Sequence, residues 1–295
     1  MAVQINQRLT GFTGKPTTIL APTFLKVGKD AAGRPILRQH NLEFEIGRPE
    51  RLINPPLISC LMVTANRPRM ARIAIECYRR QTWPQKELVV VDSGTNDQLD
   101  AWIKTLGDAS IRVVRLPGCT DRLGDLRNLS VEKAAGDLVC LWDDDDLQHP
   151  CRIEAAMAAM AMTRTRACLL FREVFWLVSA RRFALTGLRP NENALLADKR
   201  LLEPYPSLAK LEDVPVIEAL METTPVALLD LPELYVYIAH GANTWDDEHV
   251  NVIWNQAILQ FGPTEYGTVF DELSRCYPLK AYLKAVRWTA AKQQS

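Results

Sequence analysis

The chain has 295 residues, 47% of them apolar and 24% charged, and its 35 Lys+Arg balance 35 Asp+Glu. This is the composition of a globular protein of one or two domains at roughly 150 residues each, and it excludes a disordered chain or a disulfide scaffold. Zero net charge argues against a dedicated nucleic-acid binder, whose phosphate contacts need a basic excess. The seven cysteines are odd in number, form no CxxC, and several lie in apolar runs such as Leu138-Val139-Cys140-Leu141-Trp142. They read as reduced core thiols of a cytoplasmic protein rather than as disulfides or zinc ligands. The N-terminus lacks a basic-then-apolar signal pattern, and no stretch reaches the ~18 uncharged apolar residues of a membrane span.

In chain order, residues 1–55 are rich in Gly, Pro, Thr and Lys and end at Pro55-Pro56. They predict an extension or a short hairpin. Leu57 to Val63 is an apolar run with β-branched members, a strand. Arg67-Pro68 then opens a helix, with Met70, Ile73, Ala74, Cys77 and Tyr78 forming a core-facing stripe, and Trp83-Pro84 stops it. Glu87 to Val91 is a second strand, followed by a helix through Trp102 and Leu106. Ile111 to Leu116 is a third strand, stopped by Pro117-Gly118. Leu123 to Ala135 reads as a helix closed by Gly136 at C′, and Leu138 to Trp142 as a fourth strand.

Repeated strand-helix-strand units with two-sided apolar strands predict an α/β fold with a Rossmann-like, mostly parallel sheet flanked by helices. Beyond residue 150 the pattern is mixed. A helix runs through Ile153, Met157, Met160 and Ala161. Cys168 to Val178 and Arg181 to Thr186 suggest a hairpin, Asp213 to Glu222 a helix, and Pro225 to Leu229 and Leu234 to Ala239 strands on the same sheet. The tail from Leu279 to Lys292 is a basic amphipathic helix. Two readings stand for residues 279–295: peripheral contact with an anionic membrane, or a solvated or dimer-packing helix at a homo-oligomer contact. The division that follows is 1–55, 56–245 and 246–295.

Ligands of parallel sheets bind at the carboxyl ends of the strands. The fourth strand runs into Asp143-Asp144-Asp145-Asp146. Along a strand Asp143 and Asp145 would point one way and Asp144 and Asp146 the other, so one carboxylate can reach a cation while its neighbour reaches a ribose hydroxyl. Oxygen ligands favour Mg²⁺ or Mn²⁺ over zinc. Capping of the helix near Pro150 is the competing explanation, but it needs one or two Asp, not four. Asp92 and Asp97 follow the second strand, in what is also a good turn sequence. Arg122, Gly124, Arg127 and Asn128 open a helix whose N-terminus suits a diphosphate. Taken alone, Glu212-Asp213 reads as a helix cap and His240 as a buried or turn histidine; His149 and His249 read as structural or surface residues.

The ordered series Val63-Thr64-Ala65-Asn66-Arg67-Pro68, Val90-Val91-Asp92-Ser93-Gly94-Thr95-Asn96-Asp97, Arg127-Asn128, Ala135-Gly136-Asp137, Leu141 to Asp146, Leu211-Glu212-Asp213 and Leu234 to Thr244 resembles the inverting family-two glycosyltransferases. The resemblance spans about residues 57 to 245 and implies a GT-A fold. It implies a metal-dependent transfer of a sugar from a nucleotide-diphosphate sugar to a hydroxyl acceptor, saccharide or lipid-linked, in glycan or polysaccharide synthesis. It places Thr64, Asn66, Asp92, Arg127, Asp143 and Asp144 at the donor, with Asp92 near the base and Asp144 by the ribose. It makes Asp145 and His240 the ligands of Mn²⁺ or Mg²⁺, Asp213 the general base and Glu212 its support. Ser93 and Ala65 depart from the family, which often has Asp and Tyr there. Two other readings are a sugar-phosphate nucleotidyltransferase, disfavoured by the absence of glycine from Thr64-Ala65-Asn66-Arg67-Pro68, and a non-catalytic nucleotide-binding relative. A Rossmann dehydrogenase is disfavoured by the missing GxGxxG.

Overall fold

The computed structural model describes residues 18–29, 35–45, 54–241, 243 and 247–293. The N-terminal region forms an antiparallel pair of long strands, β1 (Thr18–Lys29) and β2 (Pro35–Glu45); residues 1–17, 30–34 and 46–53 lie outside the description. The expected strand-helix alternation follows. It comprises β3 (Ile58–Thr64), α1 (Pro68–Arg79), β4 (Lys86–Asp92), α2 (Gln98–Leu106), β5 (Ile111–Arg115), α3 (Leu123–Lys133) and β6 (Leu138–Leu141). β6, β3, β4 and β5 lie side by side, all parallel. Their residues divide between two cores. Cys60, Met62, Leu88, Val90 and Cys140 face α1, α2 and the aromatic side. Leu61, Val89, Val139 and Leu141 face the other layer. Both faces are dry, which is why these strands read as unbroken apolar runs.

α1 starts with Pro68 in its first turn and buries Met70, Ala71, Ala74, Ile75, Cys77 and Tyr78. Full burial of a side chain such as Ile75 stabilises by roughly 1.5–3 kcal/mol. The end of α3 differs from expectation. Its C-cap is Ala134 in extended conformation, so Gly136 is not a left-handed C′ residue. Instead, a Cβ on Gly136 would lie 2.5 Å from the Leu57 carbonyl oxygen. Glycine is required by close backbone approach, and its N–H donates to Ser59 Oγ at 2.9 Å.

The second half is β7 (Leu147–Gln148), α4 (Arg152–Thr163), β8 (Ala167–Leu170), β9 (Val174–Leu177), β10 (Arg182–Leu185), β11 (Asn191–Asp198), α5 (Val214–Thr223), β12 (Val226–Leu229), β13 (Tyr235–Ala239), α6 (Asp247–Gln256), β14 (Leu259–Phe261), α7 (Pro263–Leu273) and α8 (Leu279–Gln293). Among the described residues the strands form two sheets. A nine-stranded one runs β2-β1-β12-β8-β11-β6-β3-β4-β5, and a five-stranded one runs β14-β10-β9-β13-β7. The apolar run from Cys168 to Val178 is therefore not one arm of a hairpin. It breaks at Phe171–Glu173, and its halves join different sheets; only β9 and β10 form the expected antiparallel pair. The expectation of a single sheet missed this break because apolar residues continue through it. β11 was also illegible: Asn-Glu-Asn-Ala-Leu-Leu-Ala-Asp has no β-branched residue.

The segment set apart in the sequence as 246–295 contributes to the same core through its described residues 247–286. Trp176, Phe183, Tyr266, Phe270 and Tyr282 form one aromatic cluster, with ring centroids 5.2 Å apart for Phe183–Tyr266 and 5.8 Å for Trp176–Tyr282. Leu279 and Tyr282 of α8 are fully buried, and Leu283 and Val286 pack against that core. The apolar side of α8 through Val286 is thus occupied within the protein rather than open to lipid. Among the described residues no helix is long and apolar enough to cross a membrane.

Candidate active site

β3, β4 and β6 end together at Thr64, Asp92 and Leu141. Beyond Leu141 the chain bends over Asp144–Asp146 before starting β7. The quartet is not an extended strand, and the expected alternation of its side chains fails. Asp143 and Asp146 both meet Tyr235: its hydroxyl donates to Asp146 at 2.8 Å and reaches Asp143 at 3.4 Å. The other oxygen of Asp146 accepts the Ile238 N–H at 2.8 Å, fastening the bend to β13. Asp144 and Asp145 share Arg67 instead, at 2.7 and 2.5 Å. Thr64 Oγ1 donates to Asp144 Oδ2 at 2.5 Å, and His240 Nε2 lies 3.2 Å from Asp145 Oδ2. From the far end of the chain, the Tyr282 hydroxyl donates to the backbone carbonyl of Asp145.

Four carboxyls in one bend cannot all ionise freely. Burial pushes Asp143 and Asp146 upward, with neighbouring aspartates adding to the rise, and it pushes Asp144 up to about 6 despite Arg67. Asp145 is the exception. Burial raises it too, but Arg67 and the His240 hydrogen bond outweigh this and hold its carboxyl well below the usual range. Asp145 is thus the carboxyl of the bend held most firmly in its ionised form. None of the four caps α4, whose N-cap is Cys151.

Leu211, Glu212 and Asp213 line the same cleft as the bend, of ≈ 180 Å³. Leu211 is exposed and has φ 60°, a costly conformation for a γ-branched residue. Glu212 is buried and accepts Arg127 Nε at 2.6 Å. Arg127 also reaches Asp143 at 3.3 Å through its NH2 group. The arginine expected to meet a diphosphate thus ties the two acidic motifs together. Asp213 heads α5 but makes no side-chain cap hydrogen bond, so its carboxyl is not spent on the helix end. Burial pushes it up to about 6, opposed by Arg127 and reinforced by Glu212.

Thr64, Asn66, Asp92 and His240 lie outside this lining, Thr64 and His240 reaching it through Asp144 and Asp145. Asn66, left-handed at φ 57°, accepts the Thr95 N–H at 2.9 Å and holds the loop after β4. Asp92, 3% exposed, accepts the Gly94 N–H at 2.8 Å and pairs with Arg115. It stands beside Thr64 in the β3–β4 register. The polar lining residues that escaped the sequence reading of the site include Arg67, Glu173, Arg189, Glu192, Asn193, Lys210 and His249, the last of which had read as structural or surface. Arg67 stood within a quoted motif. The others carry no local signal.

Asp145 offers the carboxylate oxygen that Mg²⁺ and Mn²⁺ prefer, whereas the His240 imidazole is a donor shared with softer metals. Two neighbouring ligands at ~2.1 Å from an octahedral ion lie ~3 Å apart, compatible with 3.2 Å between Asp145 and His240. No group of three or more His, Cys, Asp or Glu converges on one point among the described residues. The protein would thus supply two ligands, and Arg67 would have to yield Asp145 Oδ2.

Residues 59–193 match the family model described as glycosyl transferase family 2. WcaA of Escherichia coli (strain K12), named for colanic acid biosynthesis and glycosyl transfer, is 31% identical over 118 residues, 39% of this chain and 42% of that protein. The alignment thus covers about two fifths of WcaA's length. An uncharacterized glycosyltransferase of Haemophilus influenzae is 23% identical over 183 residues, 62% of this chain and 68% of the relative. Among solved structures, S. aureus TarS 1-349 in complex with UDP-GlcNAc has a TM-score of 0.53 at 18% identity, covering 74% of this chain and 72% of that one. The complex of the same protein with UDP gives 0.51 at 18% identity, with 66% and 69% covered. At that identity the likeness is one of fold, the GT-A arrangement of a parallel-rich sheet between helices. The motif order, the GT-A fold and the matched segment agree: residues 59–193 are similar to the glycosyl transferase family 2 domain.

Proposed function

We propose that the chain transfers a sugar from a nucleotide-diphosphate sugar to a hydroxyl acceptor with inversion at the anomeric carbon. The observation that carries this reading is Asp213: a carboxyl unspent on its helix, lining one cleft with the acidic bend and raised to about 6. At neutral pH such a group is mostly ionised yet basic enough to take a proton, the balance a general base needs. Asp213 accepts the acceptor's hydroxyl proton as that oxygen bonds to the anomeric carbon and the bond to the diphosphate breaks. Direct displacement by a single incoming oxygen inverts the centre. Glu212, held by Arg127, keeps the loop in register. Asp145 and His240 would hold Mn²⁺ or Mg²⁺, which when bound offsets charge on the departing diphosphate.

Thr64, Asn66 and Asp92 at the ends of β3 and β4, with Asp143 and Asp144, form the donor side. The named complexes of TarS with UDP and UDP-GlcNAc support a uridine-diphosphate sugar as donor, and the naming of WcaA supports a growing saccharide as acceptor. A thermal-shift screen of nucleotide sugars with and without Mn²⁺ tests the donor reading. A ligand at a hundredfold excess over Kd stabilises by ~2.7 kcal/mol. The matching donor should raise Tm and release its diphosphate in the presence of an acceptor. No shift with any nucleotide sugar, and no diphosphate release, would overturn the proposal.

A further inference from the structure

Glu173 lies in the crossover where the chain leaves the nine-stranded sheet for the five-stranded one. Its side chain lines the cleft yet is only 2% exposed. Among the described residues Oε1 has no hydrogen-bond partner, and Oε2 accepts only from Asn193 Nδ2 at 3.4 Å. Buried carboxyls without partners are costly and rare, and each calls for a reason. This one is also held rigidly. The Glu173 N–H donates to Thr186 Oγ1 at 2.8 Å, and its carbonyl accepts the Thr186 N–H at 3.0 Å. The preceding Arg172 grips Asp230 through two hydrogen bonds of 2.6 and 2.7 Å.

Burial pushes the carboxyl up to about 8, against a weaker opposing pull from Asn193. At neutral pH it carries a proton, so it offers one O–H donor as well as an acceptor. That pairing matches a sugar hydroxyl, which also donates and accepts. It does not match a diphosphate, which an ionised Glu173 would repel. A few fixed polar groups in a cleft wall are what set ligand selectivity.

We propose that Glu173 reads the transferred sugar, hydrogen-bonding one of its hydroxyls and thereby selecting the donor. This rests on the cleft being the nucleotide-sugar site. Titration calorimetry of the full chain with UDP-glucose, UDP-N-acetylglucosamine, GDP-mannose and dTDP-glucose, each against its free diphosphate, separates the sugar's contribution from the nucleotide's. Glu173→Met fills the space without hydrogen bonding. It should weaken the preferred nucleotide sugar tenfold or more and leave the free diphosphate within twofold of wild type. Glu173→Gln, which still donates and accepts, should stay within threefold for both. A Met variant that binds the nucleotide sugar like wild type, or loses free diphosphate equally, would overturn the assignment. Should the Met variant fail to fold, monodeoxy donors decide on the wild-type protein. One position should cost tenfold or more, because a site built around a hydroxyl rejects its absence; equal binding of every deoxy donor would overturn the assignment. Wild-type protein that binds none of the free diphosphates would instead remove the donor reading, and this assignment with it.

Discussion

Asp213→Asn should make the protein more stable and less active at once. Asp213's carboxyl is raised from 3.8 to about 6, chiefly by burial. At ~1.36 kcal/mol per pKa unit, its ionised form is disfavoured in the fold by ~3 kcal/mol. Solvent reaches part of the side chain, and screening trims this to ~1–2 kcal/mol. The sign follows from the rise. Below about pH 4 the group is protonated both folded and unfolded, and no penalty exists. Above about pH 6 it is ionised in both states, and the penalty is complete. Asparagine removes that penalty, so scanning calorimetry should show the variant's Tm ~3–6 °C above wild type at pH 8, with the gap closing by pH 4. Over the same series kcat/KM of wild type should fall as pH drops through about 6, and the variant should lose ~10²–10⁴-fold at neutral pH. Were Asp213 instead a helix cap, asparagine would cap as well as aspartate and the variant's Tm would not rise at pH 8. A variant destabilised equally at every pH, or one that keeps its kcat, would refute the assignment of Asp213 as base.

Arg127→Leu strands two carboxylates, Glu212 and Asp143; urea unfolding should show a loss of ~3–5 kcal/mol. Gly124→Ala places a Cβ 1.9 Å from the Pro206 carbonyl oxygen and 3.3 Å from Glu212 Cβ. Overpacking of this kind costs ~1–3 kcal/mol or more, and limited proteolysis should find the segment at 202–211 newly cleavable. Tyr282→Phe removes the hydrogen bond to the Asp145 carbonyl. It should cost ~1 kcal/mol of stability and, by calorimetry, weaken diphosphate binding several-fold. Manganese titration followed by electron paramagnetic resonance should show Asp145→Asn and His240→Ala weakening Mn²⁺ binding at least tenfold. Arg67→Ala, which frees Asp145 Oδ2, should tighten it when no nucleotide is present. Unchanged Mn²⁺ affinity in all three variants would remove the metal assignment.

The sequence by itself determined the alternation of strand and helix from residue 57 to 141, because apolar runs and Pro and Gly punctuation are local signals. The same locality put the acidic bend at the end of β6 and Asp213 at the start of α5. It could not say which carboxylate meets which partner. Asp145 is held most firmly in its ionised form because Arg67 and His240 reach it from 78 and 95 positions away, and Tyr282 steadies it from 137. Arg127 turned from a diphosphate ligand into a tie because folding brings Glu212, 85 positions on, within hydrogen-bond reach. Glu173 left no trace in the sequence, since its burial and its unpartnered oxygen exist only where the two sheets part. Strand and helix identities follow from neighbours along the chain. Charge, protonation and partnership in the cleft follow from neighbours across it, and only the tertiary structure supplies those.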